Sequence, residues 1–191
     1  MGFSTVLVLA VALSMDAFAV SIINSMCYED PGHKKAILTS LAFGVFQGVM
    51  PLIGYWAGSA FASAVSRVDH WIAFVLLAFI GGKMLWEAIR EWNEPVHCPV
   101  ERTLTGKLIL TQAVATSIDA LAVGVSFAAV SMQMSIYAAV GIIAVTTLVI
   151  CLIGHFLGRK LGGLLGNWAQ VLGGLVLIGI GVKILVEHLA G

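Results

Sequence analysis

The 191-residue sequence predicts an all-α membrane protein, with six transmembrane helices arranged as two inverted three-helix repeats. Three observations carry that prediction. Hydrophobic residues make up 60% of the chain and charged ones only 10%, against roughly 25% charged in a soluble domain. With a mean hydropathy of +1.02, there is too little polar surface to coat a water-soluble globule. Six apolar runs lie at about 3–24, 36–58, 70–89, 107–129, 136–157 and 168–189, and about 20 such residues cross ~30 Å of hydrocarbon. Finally, the second half of the chain echoes the first in three places, in the same order.

Each run is read as a helix, because lipid offers no hydrogen bonds to an open backbone. The alternating ten-residue strands of a barrel are not seen. The first run contains Ala17-Phe18-Ala19, faintly like a signal-peptide cleavage site. No Lys or Arg precedes Lys34, so the basic n-region is missing and the run is read as a retained helix. The second run carries Gln47 and Pro51, and the fourth carries Thr116, Ser117 and Asp119. Lys83 and Lys183 lie inside the third and sixth runs, near their ends, where long side chains are expected to snorkel to the headgroups. Gly54/Gly58 and Gly154/Gly158 have small-xxx-small spacing and are read as packing sites.

Basic residues in the loops set the orientation. The first, third and fifth loops hold Lys34, Lys35, Arg90, Arg102, Lys107, Arg159 and Lys160, while the opposite side has only Arg67. That distribution places the odd-numbered loops in the cytoplasm and both termini outside it. Ten bases balance ten acids, so no basic field exists to attract nucleic acid. The three cysteines, Cys27, Cys98 and Cys151, show no CxxC spacing and suggest neither a disulfide framework nor a zinc site. Grouping Cys27 and His33 with His97 and Cys98 as a metal cluster is the weaker alternative.

The internal echo is specific. Ser14-Met-Asp-Ala-Phe-Ala-Val-Ser-Ile22 matches Ser117-Ile-Asp-Ala-Leu-Ala-Val-Gly-Val125 at five of nine positions. Ile53-Gly-Tyr-Trp-Ala-Gly58 echoes Ile153-Gly-His-Phe-Leu-Gly158, and Gly81-Gly-Lys-Met-Leu-Trp-Glu87 echoes Gly181-Val-Lys-Ile-Leu-Val-Glu187. The offsets are 103, 100 and 100. They divide a single membrane domain into repeats at 1–98 and 99–191. Three spans per repeat force the second copy upside down, the plan of many secondary transporters, whose sites lie near the midplane.

Eight of the ten acids fall in loops or at helix ends, but Asp16 and Asp119 do not. Each sits about 18 Å into its span, and the repeat makes them equivalents. A carboxylate there costs roughly 2.5–3.5 kcal/mol, so both must face the interior. One reading keeps them protonated and purely structural. The other makes them a shared site that trades a cation for protons, since mutual repulsion favours a proton or a cation between them.

Ser14, Ser21, Asn24, Gln112, Thr116 and Ser117 are nearby oxygen donors, although hydroxyls in membrane helices often bond their own backbone. Thr116 and Ser117 are preferred as metal ligands because they abut Asp119. Pro51 frees the carbonyl of Gln47, placing an amide and a loosened carbonyl at membrane depth; a packing kink is the alternative. The fifth span offers Thr146 and Thr147 at the matching level, without a proline. His155 is read as interfacial rather than as a proton relay. Met15 points about 100° away from Asp16 and is not taken as a ligand. The expected metal set is Asp16, Asp119, Gln47, Thr116 and Ser117, whose oxygens suit Mg²⁺, Ca²⁺ or Mn²⁺ over zinc or copper.

At these residues the sequence resembles the bacterial manganese exporters called MntP. The likeness is carried by Ser14–Ile22, by Phe43-Gly-Val-Phe-Gln-Gly-Val-Met-Pro-Leu-Ile-Gly54 and by Ala115-Thr-Ser-Ile-Asp-Ala-Leu-Ala-Val-Gly-Val125. His70-Trp-Ile-Ala-Phe and Gly81-Gly-Lys-Met add to it. The resemblance implies Mn²⁺ export across the inner membrane, a place in the lysine-exporter superfamily, and a match of Asp16 and Asp119 to the family's intramembrane aspartates. It has departures: Ile23 and Ser25 stand where the family has glycines, and Gln170 stands where it has a glutamate.

The expected function is therefore secondary export of Mn²⁺ from the cytoplasm by alternating access, with protons as the coupling partner and no resident cofactor. No Walker-type glycine loop is present to use ATP. Export of another dication or of an amino acid is the alternative within the same fold. An intramembrane aspartyl protease would use the same carboxylates, but it lacks the glycine-flanked aspartate, so the chain is not read as an enzyme.

Overall fold

The computed structural model describes residues 2–28, 33–65, 69–90, 98, 103–130, 132–161 and 164–189. All regular structure among them is helical: α1 (Phe3–Cys27), α2 (His33–Val65), α3 (Asp69–Arg90), α4 (Gly106–Ala115), α5 (Ile118–Ala129), α6 (Ile136–Leu161) and α7 (Leu164–Leu189). Among the described residues, four stretches are long and apolar enough to cross a membrane: Phe3–Cys27, His33–Ala60, Gly106–Ala128 and Ile136–Gly158. The outward faces are apolar too. Trp56, Phe79, Trp86, Tyr137, Phe156 and Trp168 each expose more than half their surface, which suits a hydrocarbon solvent and not water. This is a multi-pass membrane protein.

One run differs from its expected form. The sequence suggests a continuous fourth helix over 107–129, but the chain breaks at Thr116–Ser117 into α4 and α5. Thr105 caps α4, its hydroxyl accepting the Leu108 N–H at 3.3 Å. At the other end the Thr116 hydroxyl donates to the Gln112 carbonyl at 2.9 Å, competing with the backbone ladder. The Ser117 N–H reaches only three residues back, to Val114, which tightens the turn and ends α4. A new helix then begins, so α5 presents its own N-terminus inside the protein.

The halves interleave. α1 packs on α6 and α7, α5 packs on α2 and α3, α2 crosses α6, and α3 pairs with α7. In lipid such contacts come from close packing rather than from hydrophobic burial, and the glycines supply the room. A methyl on Gly54 would collide with the Leu121 carbonyl of α5; one on Gly154 would lie 2.7 Å from Phe18 of α1. Gly58 likewise faces Val125, and Gly158 faces Ile22. A core of Leu9, Ala12, Leu13, Leu77, Ile80, Met84, Val123 and Phe127 joins α1, α3 and α5. Met15 packs against that core.

A disulfide links Cys27 to Cys98, with the Cα atoms 5.1 Å apart, and corrects the expectation that the cysteines form no bridge. The end of α1 and the segment before α4 converge there, where Cys27 packs with Tyr28, Leu104 and Ile109. Both sulfurs are consumed, which removes them from the alternative metal cluster; His97 lies outside the described residues. Cys151 is buried and free.

Candidate functional site

Asp16 lies in the fourteenth position of α1, and Asp119 lies in the first turn of α5. Counted from the start of each span, both are about 20 Å deep. The break in the fourth span gives Asp119 its setting. Its Oδ1 accepts the Ala120 N–H at 2.8 Å, and an acidic side chain in a first turn is favoured by the helix dipole. The two carboxylates lie within electrostatic reach of one another. Asp16 Oδ1 and Asp119 Oδ2 are both buried without a hydrogen-bond partner.

Three further oxygens share that condition at similar depth. Gln47 of α2 is fully buried; its Nε2 donates to the Leu13 carbonyl of α1 at 2.7 Å, and its Oε1 is left unpartnered. Ser117, at the start of α5, and Thr147 of α6 are also fully buried with unpartnered hydroxyls. Pro51 sits one turn beyond Gln47, and a methyl on Gly124 of α5 would run into its backbone. The loosened part of α2 is thus wedged against the helix that carries Asp119. Thr39, two turns before Gln47 on α2, is the sixth such oxygen among the described residues. A buried polar group with no partner costs roughly 1–3 kcal/mol, so the five at the level of the aspartates need an explanation.

The structure sorts the other candidates. The Thr116 hydroxyl donates to the carbonyls of Gln112 and Ala113, so its proton is already used, although its oxygen stays beside Asp119. Ser14 and Ser21 bond their own helix at Val11 and Ala17, each at 2.7 Å. Asn24 and Gln112 face each other instead of the aspartates. Asn24 Nδ2 donates to Gln112 Oε1 at 2.8 Å and Gln112 Nε2 returns a bond to Asn24 Oδ1 at 3.0 Å, tying α1 to α4. His155 is buried, its ring edge-on to Phe156. The side chain of Gln170 is outside the described ones.

Two participants are not in the expected set. Thr147 stands 100 residues from Gln47, which is the repeat offset, and that offset is the signal that finds it. Lys83, expected to snorkel toward the headgroups, lies 3.6 Å from Glu87 along α3. Its charge bears on Asp16 and Asp119, and that of Glu87 on Asp16.

The candidate donors are thus two carboxylates, an amide carbonyl and two or three hydroxyls, with no sulfur or imidazole. Such oxygens fit hard or borderline dications. Among the described residues no three His, Cys, Asp or Glu side chains gather into a conventional metal cluster.

Comparison with known proteins agrees with that chemistry. A family model described as "Putative manganese efflux pump" matches residues 30–185. A Ruminiclostridium cellulolyticum protein named "Putative manganese efflux pump MntP" is 48% identical over 189 residues, covering 99% of this chain and 98% of its own. A Clostridium botulinum relative named "Putative manganese efflux pump MntP 2" is 44% identical over 98% of this chain and 96% of its own. A Clostridium perfringens relative bearing the MntP name is 42% identical over the same shares. No solved structure matches the chain. With a family model over most of its length and relatives aligned end to end, the chain belongs to the MntP manganese efflux pump family, transporters and not enzymes.

Proposed function

We propose that this protein exports Mn²⁺ from the bacterial cytoplasm, holding the ion between Asp16 and Asp119 and exchanging it for protons by alternating access. One observation carries the reading. Four of the six buried side-chain oxygens without partners among the described residues fall into repeat-related positions, Asp16 with Asp119 and Gln47 with Thr147, while Thr39 lies two turns away from Gln47 and stands apart. Ser117 adds a fifth donor beside them, and Thr116 an oxygen at the same break. A dication between the aspartates would satisfy their orphaned oxygens, with the amide and hydroxyl oxygens as further donors.

The packing supports the six-span inverted repeat. Exchanging α1 with α4–α5, α2 with α6 and α3 with α7 leaves the main helix contacts in place, the slight α1–α2 contact alone having no counterpart among the described residues. In this reading residues 1–98 and 99–191 are the two copies, and the discontinuous fourth span opens a helix terminus onto the site, as broken helices of transporters do. By the loop bases, the termini lie outside the cytoplasm and the bilayer is the inner membrane. The Cys27–Cys98 bridge then lies on the cytoplasmic side, where disulfides are rare, and it is the one feature that speaks for the opposite orientation.

Expelling a dication against an inside-negative potential costs about 4.6 kcal/mol per 100 mV. Inward protons can supply that work, because a carboxylate that gives up the metal can take a proton in its place. Two measurements test the reading. Purified Asp16→Asn and Asp119→Asn proteins are expected to lose Mn²⁺ binding, and unchanged affinity in both overturns the site. Mn²⁺ uptake by inverted vesicles is expected to stop when the proton gradient is collapsed; indifference to the gradient overturns the coupling.

A further inference from the structure

The third helix brings a charge of the wrong sign to a cation site. Lys83 is fifteenth in α3 and Asp16 fourteenth in α1, so the two stand at one depth along helices that run the same way. Their turns are neighbours: a methyl on Gly173 of α7 would meet Met84 at 2.8 Å, and both the Ala12 carbonyl and Met15 at 3.0 Å. Met84 also belongs to the core shared by α1, α3 and α5. Lys83 and Glu87 lie on one stripe with Leu76 and the buried Ile80, at i, i+4, i+7 and i+11 spacing.

The ammonium does not bond either aspartate. It is held at 3.6 Å by Glu87, and the pair is loose, Lys83 being 63% and Glu87 39% exposed. At 3.6 Å the contact is longer than a hydrogen bond, and lysine preceding glutamate at i, i+4 is the weaker orientation. Lys83 can therefore leave Glu87 without much loss. The aspartate oxygens, buried and unpartnered, are where a mobile ammonium would next be stabilised.

Building on the Asp16–Asp119 cation site proposed above, we propose that Lys83 is a tethered counter-cation for that site. Docked on Glu87, as observed, Lys83 leaves the aspartates open to a dication. When the dication departs, the ammonium swings onto one aspartate while the other takes the inward proton, so that both carboxylates of the empty carrier are compensated for its return. Glu87 is the positioning residue that parks the ammonium, and the pair sets affinity by competition rather than by ligation.

The test is Mn²⁺ binding to purified full-length protein in lipid nanodiscs, alongside Mn²⁺ transport by inverted vesicles. Lys83→Gln removes the competitor and is expected to bind Mn²⁺ about tenfold tighter while transporting more slowly at saturation. Glu87→Gln releases the ammonium onto the aspartates and is expected to bind several-fold more weakly. That weakening should vanish in Lys83→Gln/Glu87→Gln. Lys83→Arg keeps the charge and should stay within about twofold of wild type, which controls for folding. Equal or weaker binding in Lys83→Gln overturns the inference, as does a Glu87→Gln defect that persists without Lys83. Asp16→Asn distinguishes the failures: if it abolishes binding while Lys83→Gln changes nothing, only the counter-cation is wrong; if it binds normally, the site itself is.

Discussion

Gly44 of α2 faces Ala144 of α6 so closely that a methyl on Gly44 would stand 2.8 Å from the Ala144 carbonyl oxygen. The two positions are 100 residues apart, the offset of the repeat, so α2 and α6 cross at equivalent points. Gly44→Ala is expected to destabilise the protein by about 1–3 kcal/mol, as overpacking does. Gly141→Ala on α6 is the contrast, since a methyl there meets nothing within 4 Å. It should stabilise by about 0.5–1 kcal/mol through helix propensity. Thermal unfolding in detergent compares the two.

Thr147 and Gln47 separate ligand from scaffold. Thr147→Val keeps the shape and removes a hydroxyl that has no partner, so the fold should be unaffected or slightly steadier. Mn²⁺ affinity should fall about three- to tenfold, roughly 1 kcal/mol for one neutral donor. Gln47→Leu also cuts the bond to the Leu13 carbonyl and should lose both affinity and thermal stability. Titration calorimetry beside a melting curve checks each pair of outcomes.

Asn24 and Gln112 exchange two hydrogen bonds between α1 and α4. Removing one partner leaves the other's amide unpaired. Asn24→Leu and Gln112→Leu alone should therefore each cost about 1–3 kcal/mol, while the double variant should cost much less than their sum. A double-mutant cycle of unfolding midpoints measures the coupling, and additive losses would refute the pairing.

The Cys27–Cys98 bond closes a loop of sequence separation 71. Cys27→Ser, or treatment with a reductant, is expected to lower stability by on the order of 2–4 kcal/mol. Cys151→Ser should leave the response to reductant intact, because that thiol is free and buried. Non-reducing peptide mapping shows the bond directly.

Much of the architecture was legible because a bilayer permits so few backbone forms. The apolar runs marked where helices lie, and two aspartates in such a run had to face inward. The break at Thr116–Ser117 was not legible: the apolar pattern continues across it, and a threonine that bonds its own backbone looks like any other threonine. Thr147 was visible as a polar residue at the right level, but only its full burial and unpartnered hydroxyl separate it from its neighbour Thr146. Lys83 was read from its place along the helix, and linear position cannot show that its neighbour Met84 packs beside Ala12 and Met15. The disulfide left no local trace, since its two cysteines share no motif and meet only after α2 and α3 have come between them.

The interleaved packing has a consequence for how the chain is made. Within the first half, α1 and α2 share few contacts, and the main contacts of α1, α2 and α3 reach across to the other half. The helices that leave the ribosome first thus wait in the bilayer with almost none of their native neighbours. Because each main contact spans a large part of the chain, assembly is a late and cooperative event, and its rate is limited by long-range encounter. Cut after residue 98, neither fragment should hold a fixed shape alone. Expressed together, they should behave as an obligate heterodimer.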